Sequence, residues 1–149
     1  MNKHIYNLLL ADDDEDDCDF FKEALEDISL ETTVKMVHDG VQLMEYLKTD
    51  SLVNLPDIVF LDVNMPRKNG HECLKEIRTI DALKNLPVII ISTSLDCGIV
   101  DIMYEKGANY YIRKPGDFSK LKNVIEKALI TASENNFQRP SRANFILQP

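Results

Sequence analysis

Short apolar runs alternate five times along the chain with longer stretches in which apolar residues return every three or four positions. That is the rhythm of βα units around a parallel sheet. Strands are predicted at Ile5 to Ala11, Thr33 to Val37, Asp57 to Leu61, Val88 to Ser92 and Tyr110 to Ile112. Ile58-Val59-Phe60-Leu61 and Val88-Ile89-Ile90-Ile91 are apolar without alternation, as strands covered by helices on both faces must be, and read as central. Thr33-Val34-Lys35-Met36-Val37 alternates polar with apolar, which suits an edge. Between the strands, Cys18, Phe21, Leu25 and Ile28 form one helical stripe, and Phe118, Leu121, Ile125, Ala128, Leu129 and Ala132 form a longer one. Gly40 to Lys48, His71 to Ile80 and Cys97 to Lys106 supply three further helices, with Gly107 placed for a left-handed cap and Asp117 for the N-cap of the last helix. The pattern predicts one doubly wound α/β domain over residues 1–134, a five-stranded parallel sheet with five helices, followed by a polar, proline-broken tail over 135–149.

The 149 residues suit a single domain with one sizeable core. Seventeen basic against 25 acidic residues give a net charge of -8, which opposes binding to nucleic acid or to an anionic membrane. Six of those charges sit in one run, Asp12 to Asp17. Cys18, Cys73 and Cys97 are odd in number and form no C-x-x-C pair, so reduced thiols in a cytoplasmic protein are expected rather than disulfides or zinc. No basic segment followed by an apolar stretch opens the chain, and no apolar run approaches ~18 residues, so neither secretion nor membrane insertion is expected.

In an all-parallel sheet every strand ends on the same side, and ligands bind just beyond those carboxyl ends. Here the first strand ends in Asp12-Asp13, the third in Asp62 and the fourth in Ser92-Thr93, while the fifth runs through Arg113 into Lys114-Pro115. Two carboxylates ~4 Å apart repel by about 1 kcal/mol in water and about 4 kcal/mol at an effective dielectric of 20, so the cluster wants a cation. Oxygen ligands of high charge favour Mg²⁺ over soft metals, and the scattered His4, His38 and His71 offer no zinc pattern. Each residue also has a plainer reading. Glu15, Asp16 and Asp17 suit the positive end of a helix dipole, Asp62 could merely start the turn before Pro66 and Gly70, Lys114 could be a solvated lysine, and Tyr111 a packed core tyrosine.

Four pieces, Leu8-Leu9-Leu10-Ala11-Asp12-Asp13-Asp14, Ile58-Val59-Phe60-Leu61-Asp62-Val63-Asn64-Met65-Pro66, Pro87-Val88-Ile89-Ile90-Ile91-Ser92-Thr93 and Gly107-Ala108-Asn109-Tyr110-Tyr111-Ile112-Arg113-Lys114-Pro115, in this order and spacing resemble the receiver domains of bacterial two-component response regulators. The resemblance runs from Asn7 to about Ser133. It implies the flavodoxin-like strand order 2-1-3-4-5 and makes Asp62 the phosphoacceptor for a sensor histidine kinase. It implies that Asp13, Asp62 and the backbone carbonyl of Asn64 hold Mg²⁺, with Asp12 acting mainly through metal-bound water. Ser92 matches the hydroxyl that reports on the phosphate, Lys114 the lysine that pairs with it, and Tyr111 the aromatic that moves on activation. Asn64 and Ser94 match positions that set the lifetime of the phosphate, and Lys114-Pro115 resembles the family's cis peptide. The face built by the fourth helix, fifth strand and fifth helix would then change for a downstream protein or phosphotransfer partner.

Gly116-Asp117-Phe118 departs from the family in lacking the aromatic that often follows Lys-Pro. The long connection from Lys48 to Pro56, together with the tail, resembles the small stand-alone regulators associated with phytochrome kinases. With no length left for an output domain, a single-domain regulator is expected, not a turnover enzyme. The enzyme alternative is a haloacid-dehalogenase-like phosphohydrolase, which needs a second acid where this chain has Asn64. A flavin carrier is disfavoured because Asp12 to Asp17 would repel its phosphate. In the tail, Phe145-Ile146-Leu147 is an apolar cluster expected to contact a second copy or a partner, with docking on the chain's own last helix as the nearest competitor.

Overall fold

The computed structural model describes residues 5–49 and 55–149. His4 and the middle of the Lys48 to Pro56 connection lie outside them. The elements follow as β1 (Ile5–Ala11), α1 (Glu15–Asp27), β2 (Glu31–Val37), α2 (Gly40–Lys48), β3 (Ile58–Asp62), α3 (Gly70–Thr79), β4 (Val88–Ser92), α4 (Cys97–Glu105), β5 (Tyr110–Arg113), α5 (Phe118–Glu134) and β6 (Ile146–Leu147). The sheet is parallel throughout, in the order β2-β1-β3-β4-β5-β6. The flavodoxin-like order is as expected, and a sixth strand extends it.

Because successive strand residues point to opposite faces, the unbroken apolar runs of β3 and β4 feed two cores at once. On one face Leu9, Val59, Leu61, Ile90 and Tyr111 pack with Leu43 and Leu47 of α2, Leu74 and Ile77 of α3 and Met103 of α4. On the other, Leu8, Leu10, Phe60, Ile89 and Ile112 pack with Phe21 and Leu25 of α1 and Ile125 and Leu129 of α5, where Phe21 meets Phe60 edge-on at 4.9 Å. Every residue of β3 and β4 is buried, whereas β2 alternates between partly and fully exposed positions at the sheet edge.

Local signals fix the ends of the elements. Asp14, Asp39, Asp96 and Asp117 cap α1, α2, α4 and α5, and Asn69 forms a reciprocal capping box with Glu72 on α3. Gly107 leaves α4 at φ 102°, with its N–H on Tyr104 O and that of Ala108 on Met103 O, a Schellman closure. No cis peptide bond occurs among the described residues. The Lys114–Pro115 step is therefore trans, the form a prolyl bond favours by about 0.5–1 kcal/mol on its own.

The tail departs most from expectation. Asn136 and Phe137 take left-handed conformations (φ 54° and 60°) and return their N–H groups to Ser133 O and Ala132 O, so α5 also ends in a Schellman turn that reverses the chain. The returning strand passes α4, where the Arg139 guanidinium lies 4.3 Å from the Tyr104 ring centroid and Arg142 pairs with Asp101 at 2.9 Å. β6 then adds to β5 in the register Tyr111↔Ile146, with Tyr111 N–H donating to Phe145 O at 3.0 Å. Phe145 is wholly buried against Tyr104 and Tyr111, and Leu147 joins the core on the α5 side. The apolar cluster is thus engaged within the chain, on the β5 edge rather than on α5 alone, with Phe145 and Leu147 buried and Ile146 partly so.

Candidate functional site

The register places the ends of β1, β3, β4 and β5 side by side: Ala11 lies opposite Leu61, Asp62 opposite Ile91, and Ser92 opposite Arg113. Asp62 and Ser92 as the last residues of β3 and β4, and Asp12 and Lys114 as the residues just after β1 and β5, therefore meet at one rim of the sheet. Asp12, Asp13 and Asp62 bring carboxylate oxygens within 4.8 Å of one another. Asp12 and Asp62 are buried and Asp13 is exposed, so the cluster has a protein wall and an open side.

Asp12 is held firmly. Its N–H donates to Val37 O, its Oδ1 accepts from Asp14 N–H at 3.0 Å, and its carbonyl meets Cys18 Sγ and His38 Nδ1. Asp62 Oδ1 accepts from Asn64 N–H at 3.3 Å. Gly70 follows where a Cβ would stand 2.5 Å from Asp62 O, so only glycine lets α3 start this close behind the aspartate. The turn between them is tied to α2 through Arg67 and the buried Asp39, 3.1 Å apart.

The Lys114 side chain, delivered by the end of β5, where the backbone N–H of Lys114 donates to Ser92 O, brings its ammonium in from the opposite wall. It lies 2.8 Å from Asp12 Oδ2, 2.8 Å from Asp17 Oδ2 and 3.6 Å from Asp62 Oδ2. Burial alone would lower its pKa, but the hydrogen bonds to Asp12 and Asp17 and the charge of Asp62 outweigh burial and raise it above the usual lysine value. Asp62 goes the other way for a carboxylate. Burial, helped by the charge of Asp12 and opposed by Lys114, pushes it up to about 6. Ionised Asp62 is thus poorly solvated beside two other carboxylates, surroundings that a cation would relieve.

Ser92 is buried at the end of β4, its Oγ accepting from Ser94 N–H at 3.2 Å. The Tyr111 hydroxyl donates to Ser94 O at 2.6 Å, so the ring is already turned inward beneath the β4–α4 loop. Phe145 lies on its other side, with ring centroids 6.2 Å apart. Of the residues marked out in the sequence, Asp12, Asp13, Asp62, Ser92 and Lys114 converge, Asn64 and Ser94 flank them, and Tyr111 connects the loop to the tail.

The response regulator receiver domain family matches residues 8–126. The chain belongs to that family. The receiver is 28% identical over 122 residues to response regulator Rcp1 of Synechocystis, an alignment covering 80% of this chain and 83% of Rcp1. It superimposes on the phosphorylated cyanobacterial phytochrome response regulator RcpA with a TM-score of 0.78 at 30% identity, covering 93% of this chain and all of that one. Response regulator RPA3017, from red light signaling in R. palustris, gives 0.78 at 27% identity, covering 91% and 99%. Rcp1 has also been solved in an Mn²⁺-bound form, similar to this receiver at a TM-score of 0.76 and 25% identity over 91% and 99% of the two chains.

Two residues of this region take places other than those the sequence suggests. Asp17 reads as a helix-dipole residue, yet it lies on the inward stripe with Phe21, Ala24 and Ile28, which points its carboxylate at the sheet rim; that spacing was the available signal. Phe145 carries no local signal for its place beside Tyr111. Among the described residues no helix is long and apolar enough to cross a membrane.

Proposed function

We propose that this receiver is a stand-alone, cytoplasmic response regulator that takes a phosphoryl group from a sensor histidine kinase onto Asp62 and passes the signal on by protein contact or phosphorelay. The observation that supports this best is the convergence of three carboxylates, a lysine and a hydroxyl at adjacent strand ends. Asp62 Oδ forms a bond to phosphorus as the donor's P–N bond breaks, and the histidine nitrogen keeps the electron pair. Lys114 then trades carboxylate partners for a phosphoryl oxygen, and Ser92 donates a hydrogen bond that exists only once phosphate is present. Asp12, Asp13, Asp62 and the Asn64 carbonyl are an all-oxygen donor set that suits Mg²⁺, which would supply charge neutralisation on the transferring oxygens. Asn64, where a phosphohydrolase would need its second acid, argues for a single transfer and slow loss rather than turnover of external substrates. A phytochrome-type kinase is the favoured donor, on the likeness to RcpA and RPA3017.

The deciding experiment is incubation with Mg²⁺ and a small phosphodonor followed by intact-mass measurement. One added phosphoryl group on the wild type and none on Asp62→Asn is expected, and equal labelling of both would overturn the assignment. Asn64 and Ser94 flank the acceptor and should govern access of attacking water. Charged replacements at either are expected to change the decay rate of the phosphorylated protein while leaving Mg²⁺ affinity nearly unchanged. Decay indistinguishable from wild type at both positions would remove them from that role.

A further inference from the structure

We propose that Asp17 is a positioning residue for phosphoryl transfer: it draws the Lys114 ammonium away from Asp62 and competes for it with the phosphoryl group. The inference rests on Asp62 being the phosphoacceptor and adds a control that the acidic triad alone does not contain.

An ammonium has three donors. At Lys114 two are taken at 2.8 Å by Asp12 and Asp17, whereas Asp62 lies at 3.6 Å, beyond normal hydrogen-bond length. Asp17 is not one of the three carboxylates close enough together to share a cation, so a bound metal would leave its charge directed at Lys114. Its backbone is fixed by the Asp14 cap, with Asp17 N–H on Asp14 Oδ1 at 3.1 Å, and its side chain is on the stripe that α1 turns toward the sheet. Its geometry is therefore set by the helix and not by a mobile loop. Asp12 is the fixed partner, buried and tied on all sides; Asp17, with its side chain 37% exposed, is the one that water can replace cheaply.

A phosphoryl group on Asp62 replaces the single charge of the carboxylate with the roughly two negative charges of an acyl phosphate beside Lys114. The ammonium can serve them by giving up Asp17 and keeping Asp12. Asp17 takes no part in bond making or breaking. It competes for the cation that the product state needs, and an ion pair with its acid partly exposed sets a modest penalty.

The test uses beryllium trifluoride with Mg²⁺ as a phosphoryl mimic, followed by ¹⁹F NMR, and a small phosphodonor for rates, which keeps kinase docking out of the measurement. Asp17→Asn is expected to bind the mimic about two- to fivefold more tightly and to be phosphorylated faster by a similar factor. Asp17→Ala should agree in sign, and Asp17→Glu should restore wild-type behaviour. In a Lys114→Met background Asp17→Asn should have no effect, a result that a merely structural role for Asp17 would not produce. Unchanged or weaker binding by Asp17→Asn, in a chain whose wild type binds the mimic and is labelled at Asp62, overturns the inference and leaves the phosphoacceptor reading standing. A wild type that neither binds nor is labelled overturns that reading, and this one with it.

Discussion

Phe145→Ala is expected to lower stability by about 3–5 kcal/mol, the range for emptying a fully buried aromatic site, although only residues 146–149 follow it in the sequence. The ring fills the space between Tyr104, at 5.1 Å and edge-on, and Tyr111. Its carbonyl receives the Tyr111 N–H, so the loss should be read at that amide as well as globally. If the tail undocks before the rest unfolds, the global effect is capped at the tail's own docking energy and the remainder is read as local opening. The urea midpoint should fall, and hydrogen exchange at Tyr111 N–H should quicken by about two orders of magnitude or more, since each 1.4 kcal/mol is tenfold. A midpoint and an exchange rate both equal to wild type would show that β6 is not a structural part of the domain. Because Phe145 backs the ring whose hydroxyl reaches Ser94 O, the same variant should also loosen the β4–α4 loop.

The second large effect has the opposite sign. In chelator at pH 8, Asp62→Asn is expected to be more stable than wild type by about 3 kcal/mol, with the advantage gone near pH 4. Folding raises the Asp62 pKa from 3.8 to about 6, chiefly by burial. A group whose folded pKa is raised contributes stability below its unfolded value and loses it as pH climbs through the folded value. Wild type should therefore lose ground to the variant between pH 4 and 6, by about 1.4 kcal/mol per unit of pKa. Lys114 keeps Asp12 and Asp17 in the variant, so no buried cation is stranded. Adding Mg²⁺ should restore the wild type by mass action and the variant much less. Parallel stability curves for the two proteins from pH 4 to 8 would refute the account.

Much of this receiver was legible along the chain. The bounds of β1, β4 and α2 coincide with expectation, because each is a run of one period closed by an Asp or a change of texture. The edge position of β2 was legible from its alternation, since a strand with one face in water must alternate and a central one need not. The carboxylates and Lys114 were legible as a site because a parallel sheet forces strand ends to one side, whatever the details of packing.

β6 was not legible. Two residues carry no period, and Phe145-Ile146-Leu147 looks the same whether it is buried in cis or against another molecule. What decided it is the reversal at Asn136 and Phe137: Asn suits a left-handed helix end, but the left-handed Phe137 beside it is one that sequence gives little reason to expect. The sixth strand follows from surroundings that no local window contains.

By itself, then, the sequence determined the elements, their layering and the set of groups that meet beyond the strands, because those depend on periodicity and on the handed, parallel geometry of βα units. Only the tertiary structure decided which partner each of those groups takes. Lys114 lies between Asp12 and Asp17, the latter 97 residues away, and that choice turns on differences of less than an ångström that spacing along a chain does not encode. The docking of Phe145 on Tyr111 is of the same kind: burial is a property of what surrounds a side chain, and those surroundings come from distant segments.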